Sequence, residues 1–390
     1  MKKKNKLLLI SSRLPYPPIG GDKLKSYNLL KILSSHFDVH LVIITDEILI
    51  KEAELELKKY TKSIKVFRKR KYRFYINLLK FLFNFLPLQV NYYYFKDVQK
   101  YINDISEDMN LAVSILVRTS EYLKNFNKKK YLDMVDSIGL NYRRSQKNVK
   151  SLFWKTVYSV ETNRLLKYEE KMVRNFNATF FVNKFEAEYW SEHGKTEWIP
   201  NGVNEKLFSY NKLDSKYKNY IAFFGKMDYQ PNIDAVMWFV GNVLSNLKKE
   251  IKFIVVGTKP TKEVLNLSKK YQNVEITGFV DDPYEILNSS LAIVAPMQTG
   301  GGIQNKILES MALRTINIVS SLAAKPIVGA KDKEHLLICD EPLKIANLIN
   351  DIFLENSKYN NIKENAKKLI EENYTWKKYE EKLLKIAGSK

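Results

Sequence analysis

LLLISS at 7–12, RLPYPPIGG at 13–21, DKLKSYNLLKILSSHF at 22–37 and VHLVIIT at 39–45 decide the fold class. The first and last are short apolar runs of strand length, and a run of helical length lies between them behind a Pro- and Gly-rich loop. That order is one βαβ unit, whose two strands lie parallel in a sheet. The same alternation continues outward. LAVSILV (111–117), YLDMVDS (131–137) and ATFFVN (178–183) read as strands, with a long helix through 158–176. Pro200, Asn201 and Gly202 make a turn and a natural boundary. Behind it NYIAFFG (219–225), KFIVVG (252–257), VEITGFV (274–280), LAIVAP (291–296) and TINIVSS (315–321) form a second strand series. Helices at 234–250 and 305–314 fall within that series, and two more at 358–374 and 377–388 close the chain. The expectation is an α/β protein of two Rossmann-like domains facing a central cleft, 1–200 and 201–375, with a C-terminal helix 376–390 packing back on the first. Ligands in open α/β sheets lie beyond the carboxyl ends of the strands, so the loops after 12, 225, 257 and 296 matter most.

The 390 residues suit two domains at a typical ~100–200 residues each. One cysteine, Cys339, excludes an internal disulfide framework and favours a reducing compartment. The lysines and LLLI of the N-terminus imitate a signal peptide, but the apolar stretch is too short and ends at Ser11, Ser12 and Arg13. No uncharged apolar run is long enough to cross a bilayer.

Net charge is +21 and uneven: residues 1–195 hold 37 Lys and Arg against 20 Asp and Glu, residues 196–390 hold 27 against 23. A basic N-terminal half points to a polyanion, either nucleic acid or an anionic membrane surface. Arg68, Lys69, Arg70, Lys71 and Arg73 precede FYINLLKFLFNFL (74–86), whose polar residues Asn77, Lys80 and Asn84 form one narrow stripe on a helix. The segment is too short to span a membrane. It could lie in the interface with the cations on headgroups and Phe81, Phe83 and Phe85 in the lipid; the alternative is a helix buried between other elements behind a solvated basic loop. Its aromatics cluster in a block instead of alternating with basic residues, which disfavours nucleic acid.

The groups able to do chemistry are few. In TGGGIQNKILESMA (299–312), Gly300, Gly301 and Gly302 let backbone approach a ligand, and the helix starting near Asn305 aims free amides at it, as a phosphate or diphosphate needs. Lys306 lies in the first turn and Glu309 on the same face, either serving that ligand or pairing with each other. Lys226, directly after strand 219–225, offers a second cation or a solvated one. Gly20 and Gly21 form a similar turn ahead of the helix 22–37, where Asp22, read as its N-cap, competes for the amides. Asp133 and Asp136 end a strand, where an aspartate either accepts a sugar hydroxyl or caps the next helix. His36, His40, His193 and His335 show no metal-ligand spacing, and GxSxG, Walker A and GxGxxG patterns are absent.

RLPYPPIGGDKLKSYNLLKILS, LPLQVNYY, FFGKMDYQPNIDAVMWF, EITGFVDDPYEIL and above all GGGIQNKILESMA resemble bacterial family 4 glycosyltransferases of the GT-B fold, in particular the subgroup of exopolysaccharide and protein-sorting-associated sugar transferases. The resemblance covers most of the chain. It implies a retaining, metal-independent transferase moving a sugar from a nucleotide-sugar donor to a lipid-linked or polysaccharide acceptor in surface glycan synthesis. No cofactor is expected, and the missing export signals together with the basic apolar segment point to a cytoplasmic protein held peripherally on the inner face of the cell membrane. Lys226 and Lys306 would neutralise the donor diphosphate and Glu309 would hold the ribose, with Gly300, Gly301, Gly302, Ile303, Gln304 and Asn305 binding the donor and Gly20, Gly21 and Asp136 on the acceptor side. The first glutamate of the family's pair falls at Gly301, a departure from the general pattern. Rival readings are a nucleotide-sugar epimerase or phosphorylase on the same fold, and a polyanion-binding module without catalysis.

Overall fold

The computed structural model describes residues 4–145, 152–300 and 302–387. The chain divides into two compact units, one running to Pro200 and including the chain from Leu383, the other Asn201–Lys382. The first unit is built on seven strands: β1 (Lys6–Ser11), β2 (Asp38–Thr45), β3 (Ser63–Arg68), β4 (Leu111–Ile115), β5 (Lys129–Val135), β6 (Ala178–Phe181) and β7 (Thr196–Trp198). They pair in the order β3-β2-β1-β4-β5-β6-β7, parallel throughout. The second unit holds β8 (Tyr220–Phe224), β9 (Lys252–Val256), β10 (Val274–Gly278), β11 (Ala292–Ala295), β12 (Asn317–Val319) and β13 (Leu337–Ile338), ordered β10-β9-β8-β11-β12-β13 and also parallel. Each order reverses once, between β1 and β4 and between β8 and β11. Those reversals open the crevices where doubly wound sheets bind ligands.

The central strands are apolar on both faces because helices cover both sides of a parallel sheet. Leu7, Leu8, Leu9 and Ile10 of β1 are fully buried, as are Ile221, Ala222 and Phe223 of β8. Three strands have no such apolar run. β3 reads SIKVFR and alternates exposed with half-buried positions, as suits a charged edge strand that resists further pairing. Of the cations that the sequence presents as a basic loop it takes in Arg68 alone, while Lys71 and Arg73 fall in the helix that follows. β7 and β13 are only three and two residues long.

The segment after β3 departs further from expectation. A helix runs Lys71–Leu78, a 3₁₀ turn follows at Leu79–Leu82, and the chain then bends to Pro87. The stripe Asn77, Lys80 and Asn84 faces inward: Asn77 is buried and its Nδ2 donates to the carbonyls of Tyr92 and Tyr94 at 3.3 and 3.0 Å. Two residues expected to meet a membrane do not lie on the outer surface. Lys69 is buried, ion-paired with Asp97 and set 5.3 Å from the Phe95 ring centre. Phe81 is half-buried under the Arg164 guanidinium, 3.7 Å from its ring centre.

Candidate functional site

In the second unit the loops after β8 and β11 meet at the sheet's reversal. The β8 loop begins Gly225-Lys226, and Gly257 after β9 packs against it so closely that a Cβ there would lie 1.7 Å from the Gly225 carbonyl oxygen. The β11 loop passes Gly300, whose φ of +94° suits glycine, and enters the helix Asn305–Ala312. Gln304 caps that helix without a side-chain hydrogen bond, leaving its first amides open to a ligand. Gly302, Ile303, Gln304 and Asn305 are half-buried in this approach; Gly301 lies outside the described residues.

Lys306 is 8% exposed. Its Nζ donates to Asn232 Oδ1 at 2.5 Å, sits 4.2 Å from the Phe223 ring centre and touches Met297 Sδ at 3.8 Å. Burial lowers its pKa to about 7, because no carboxylate pairs with it and desolvation penalises the ammonium. Asn232 Nδ2 in turn donates to the Lys226 carbonyl at 2.9 Å. One carboxamide therefore ties the buried cation to the loop carrying the second. The Lys226 side chain is exposed and pairs with Asp228 at 3.0 Å. Glu309, one turn deeper, does not pair with Lys306. Its carboxyl meets the Tyr284 hydroxyl and is pushed up to about 7 by burial, which that hydrogen bond partly offsets.

Asn232, Tyr284 and Asn201 went unread in the sequence as site residues. Asn201 Nδ2 donates to Asn305 Oδ1 at 3.1 Å, so the boundary turn also steadies the first residue of the helix. Asn232 sits inside QPNID at a helix start, where an asparagine normally signals only local capping.

The strand ends of the first sheet carry different chemistry, in the loop after β1 and beyond β5. Gly20 caps the helix Gly21–His36 with φ +98° and no side-chain bond. Asp22 is not the cap: it lies in the first turn, accepts the Lys23 amide and pairs with Arg13 at 3.1 Å. Asp133 is fully buried against Lys25 at 2.6 Å, a structural pair. Asp136 follows Val135, a β-branched residue at φ +65°, the kind of strain that collects at functional sites. Its Oδ1 is buried without a hydrogen-bond partner, and burial, then Asp133, raise its pKa against Lys25 and Arg144. Glu169 and Glu186 complete the cluster, accepting Ser137 Oγ and the Ser137 amide, each at 2.6 Å. Burial lifts them to about 7 and about 8. Among the described residues no group of His, Cys, Asp or Glu is arranged to hold a metal ion.

Residues 218–354 match the family model "Glycosyl transferases group 1". Over nearly its full length the chain is similar to an uncharacterised 44.6 kDa protein in the cps region of Klebsiella pneumoniae, 24% identical over 396 residues, 96% of this chain and 97% of that one. Among solved structures it superimposes on HepE of Anabaena in complex with UDP, at TM-score 0.69 and 13% identity over 98% of this chain and 99% of that one. Sucrose-phosphate synthase of Thermosynechococcus elongatus gives TM-score 0.70 at 15% identity over 99% and 98%. A group 1 glycosyltransferase domain thus covers most of the second unit, and the chain shares the GT-B fold of these solved structures over nearly its whole length.

Proposed function

We propose that the chain transfers a sugar from a nucleoside diphosphate donor, bound by the second unit, to the hydroxyl of a growing surface glycan or lipid-linked saccharide, with retention at the anomeric carbon. The observation that carries this reading is the single carboxamide of Asn232 joining buried Lys306 to the Lys226 loop beside an open helix N-terminus. A diphosphate placed there receives amides, a dipole end and two cations where negative charge builds as the sugar leaves. The bond from the anomeric carbon to the diphosphate oxygen breaks and a bond to the acceptor oxygen forms on the same face. The acceptor proton passes to the departing phosphate, so no protein nucleophile is needed. Glu309, held by Tyr284, accepts the ribose hydroxyls, and Asp136 orients the acceptor hydroxyl. The capsule-region setting of the Klebsiella relative supports a surface-glycan product, and the UDP complex of HepE makes UDP the first base to try.

Thermal unfolding with UDP, GDP, dTDP, ADP and CMP tests the donor site. One nucleoside diphosphate at 100 times its dissociation constant should stabilise the protein by ~2.7 kcal/mol, with the shift lost in Glu309→Ala. No shift with any of them, from a folded protein, contradicts the reading.

A further inference from the structure

The segment Lys71–Phe85 is folded inside out. Its polar stripe is spent on the protein: beyond the Asn77 bonds, Lys80 Nζ donates to the Tyr94 carbonyl at 3.0 Å, and Asn84 and Asn91 exchange amide hydrogen bonds at 2.9 Å. Arg164 donates to the carbonyls of Phe81 and Asn84 at 3.3 Å, so the turn is held firmly. What faces outward is apolar: Tyr75, Ile76, Leu79, Leu82, Phe83 and Phe85, the last two 87% and 89% exposed. Scattered exposed apolar residues need no explanation, but a contiguous set on one element marks an interaction surface. Arg70, Lys71 and Arg73 stand exposed in the first turn of this helix without an ion-pair partner among the described residues. No acidic residue occurs between Lys65 and Phe95. Beneath the helix Arg73, Lys80 and Lys96 line a hollow of about 330 Å³ whose one acid, Asp97, is occupied by Lys69.

We infer that this face docks on an anionic lipid bilayer, with Leu82, Phe83 and Phe85 in the acyl boundary, Arg70, Lys71 and Arg73 on the headgroups, and one lipid phosphate in the Arg73–Lys80–Lys96 hollow. Charge selects the occupant: a second copy would set one cationic collar against another, whereas an anionic surface complements both collar and hollow. No described helix is long and apolar enough to cross a membrane, and this one ends at Leu78, so the segment lies in the interface plane. The inference does not depend on glycosyl transfer.

Flotation with vesicles of phosphatidylcholine containing phosphatidylglycerol, against phosphatidylcholine alone, tests it. The wild type should float with the anionic vesicles and lose them in high salt. Arg70→Glu/Lys71→Glu/Arg73→Glu should bind about 10²-fold more weakly, and Leu82→Ser/Phe83→Ser/Phe85→Ser should be released as well. Both variants should keep the nucleotide-induced thermal shift, which separates this outcome from failure of the donor site or of folding. Wild type that stays with neither vesicle overturns the proposal. So does either variant floating like wild type, or a solution dimer that the serine variant dissociates.

Discussion

The two sheets place opposite chemistry at the carboxyl ends of their strands. Where the second sheet reverses, a buried lysine meets, among the described residues, a carboxamide, a ring face and a thioether. Beyond β5 of the first sheet, Asp133 pairs with Lys25, Glu186 with Arg144, and Asp136 and Glu169 lie beside them around Ser137. A cation left without an acid is ready for an anion, whereas Asp136, Glu169 and Glu186, whose protonated forms burial favours, suit hydroxyls. In the proposed reading the same topology serves a donor at one set of strand ends and an acceptor at the other.

The largest effect expected from breaking this contrast is on stability in the first unit. Lys25→Ala removes the ammonium paired with buried Asp133 and should cost ~3–5 kcal/mol in urea unfolding; a loss too small to measure contradicts the structural role given to that pair. In the second unit Lys306→Ala should lower turnover by ~10² or more, with Lys226→Ala milder because that side chain is exposed and already shared with Asp228. Equal losses in the two would remove the distinction between the buried and the peripheral cation. Asn232→Ala should cost ~1–3 kcal/mol of transition-state stabilisation, and Asn232→Asp should instead raise the Lys306 pKa and carry the basic limb of the pH profile upward.

A further contrast is in the pH dependence of stability, whose sign differs between the regions. Glu161, Glu169 and Glu186 have folded pKa values of about 7, 7 and 8, raised by burial. The native state keeps protons that the unfolded chain releases, so their contribution is present at acid pH and is lost as pH rises from about 4.5 to about 8. Lys306, lowered to about 7, acts oppositely: burying its ammonium disfavours folding most at pH 7 and below, and that penalty fades as pH rises toward about 10.5. Calorimetry from pH 5 to 8 should show the first-unit decline, reduced in Glu169→Gln; an unchanged slope in that variant contradicts the assignment.

These contrasts were unevenly legible in the sequence. Strands such as LLLIS and KFIVV announce themselves because both faces are buried, while β3 carries Lys65 and Arg68 and resembles a basic loop. The glycine loop and Lys306 were readable from chemistry that clusters within a few residues. Asn232 was not: it lies 74 positions from the lysine it holds, and nothing local marks it. The 77–80–84 stripe was visible, but its direction was decided by carbonyls at 92 and 94 that only folding brings near. Outward orientation normally belongs to the polar side of a helix, and here the acceptors lay on the other side.

Calorimetric titration of wild type and Lys306→Ala with the nucleoside, its monophosphate and its diphosphate tests the donor site most directly. The diphosphate should bind the wild type at least ~10-fold more tightly than the monophosphate, a gap of about 1.4 kcal/mol, and the gap should collapse in the variant. A wild type that binds mono- and diphosphate equally, or a gap that survives the loss of Lys306, contradicts a diphosphate site built on that lysine.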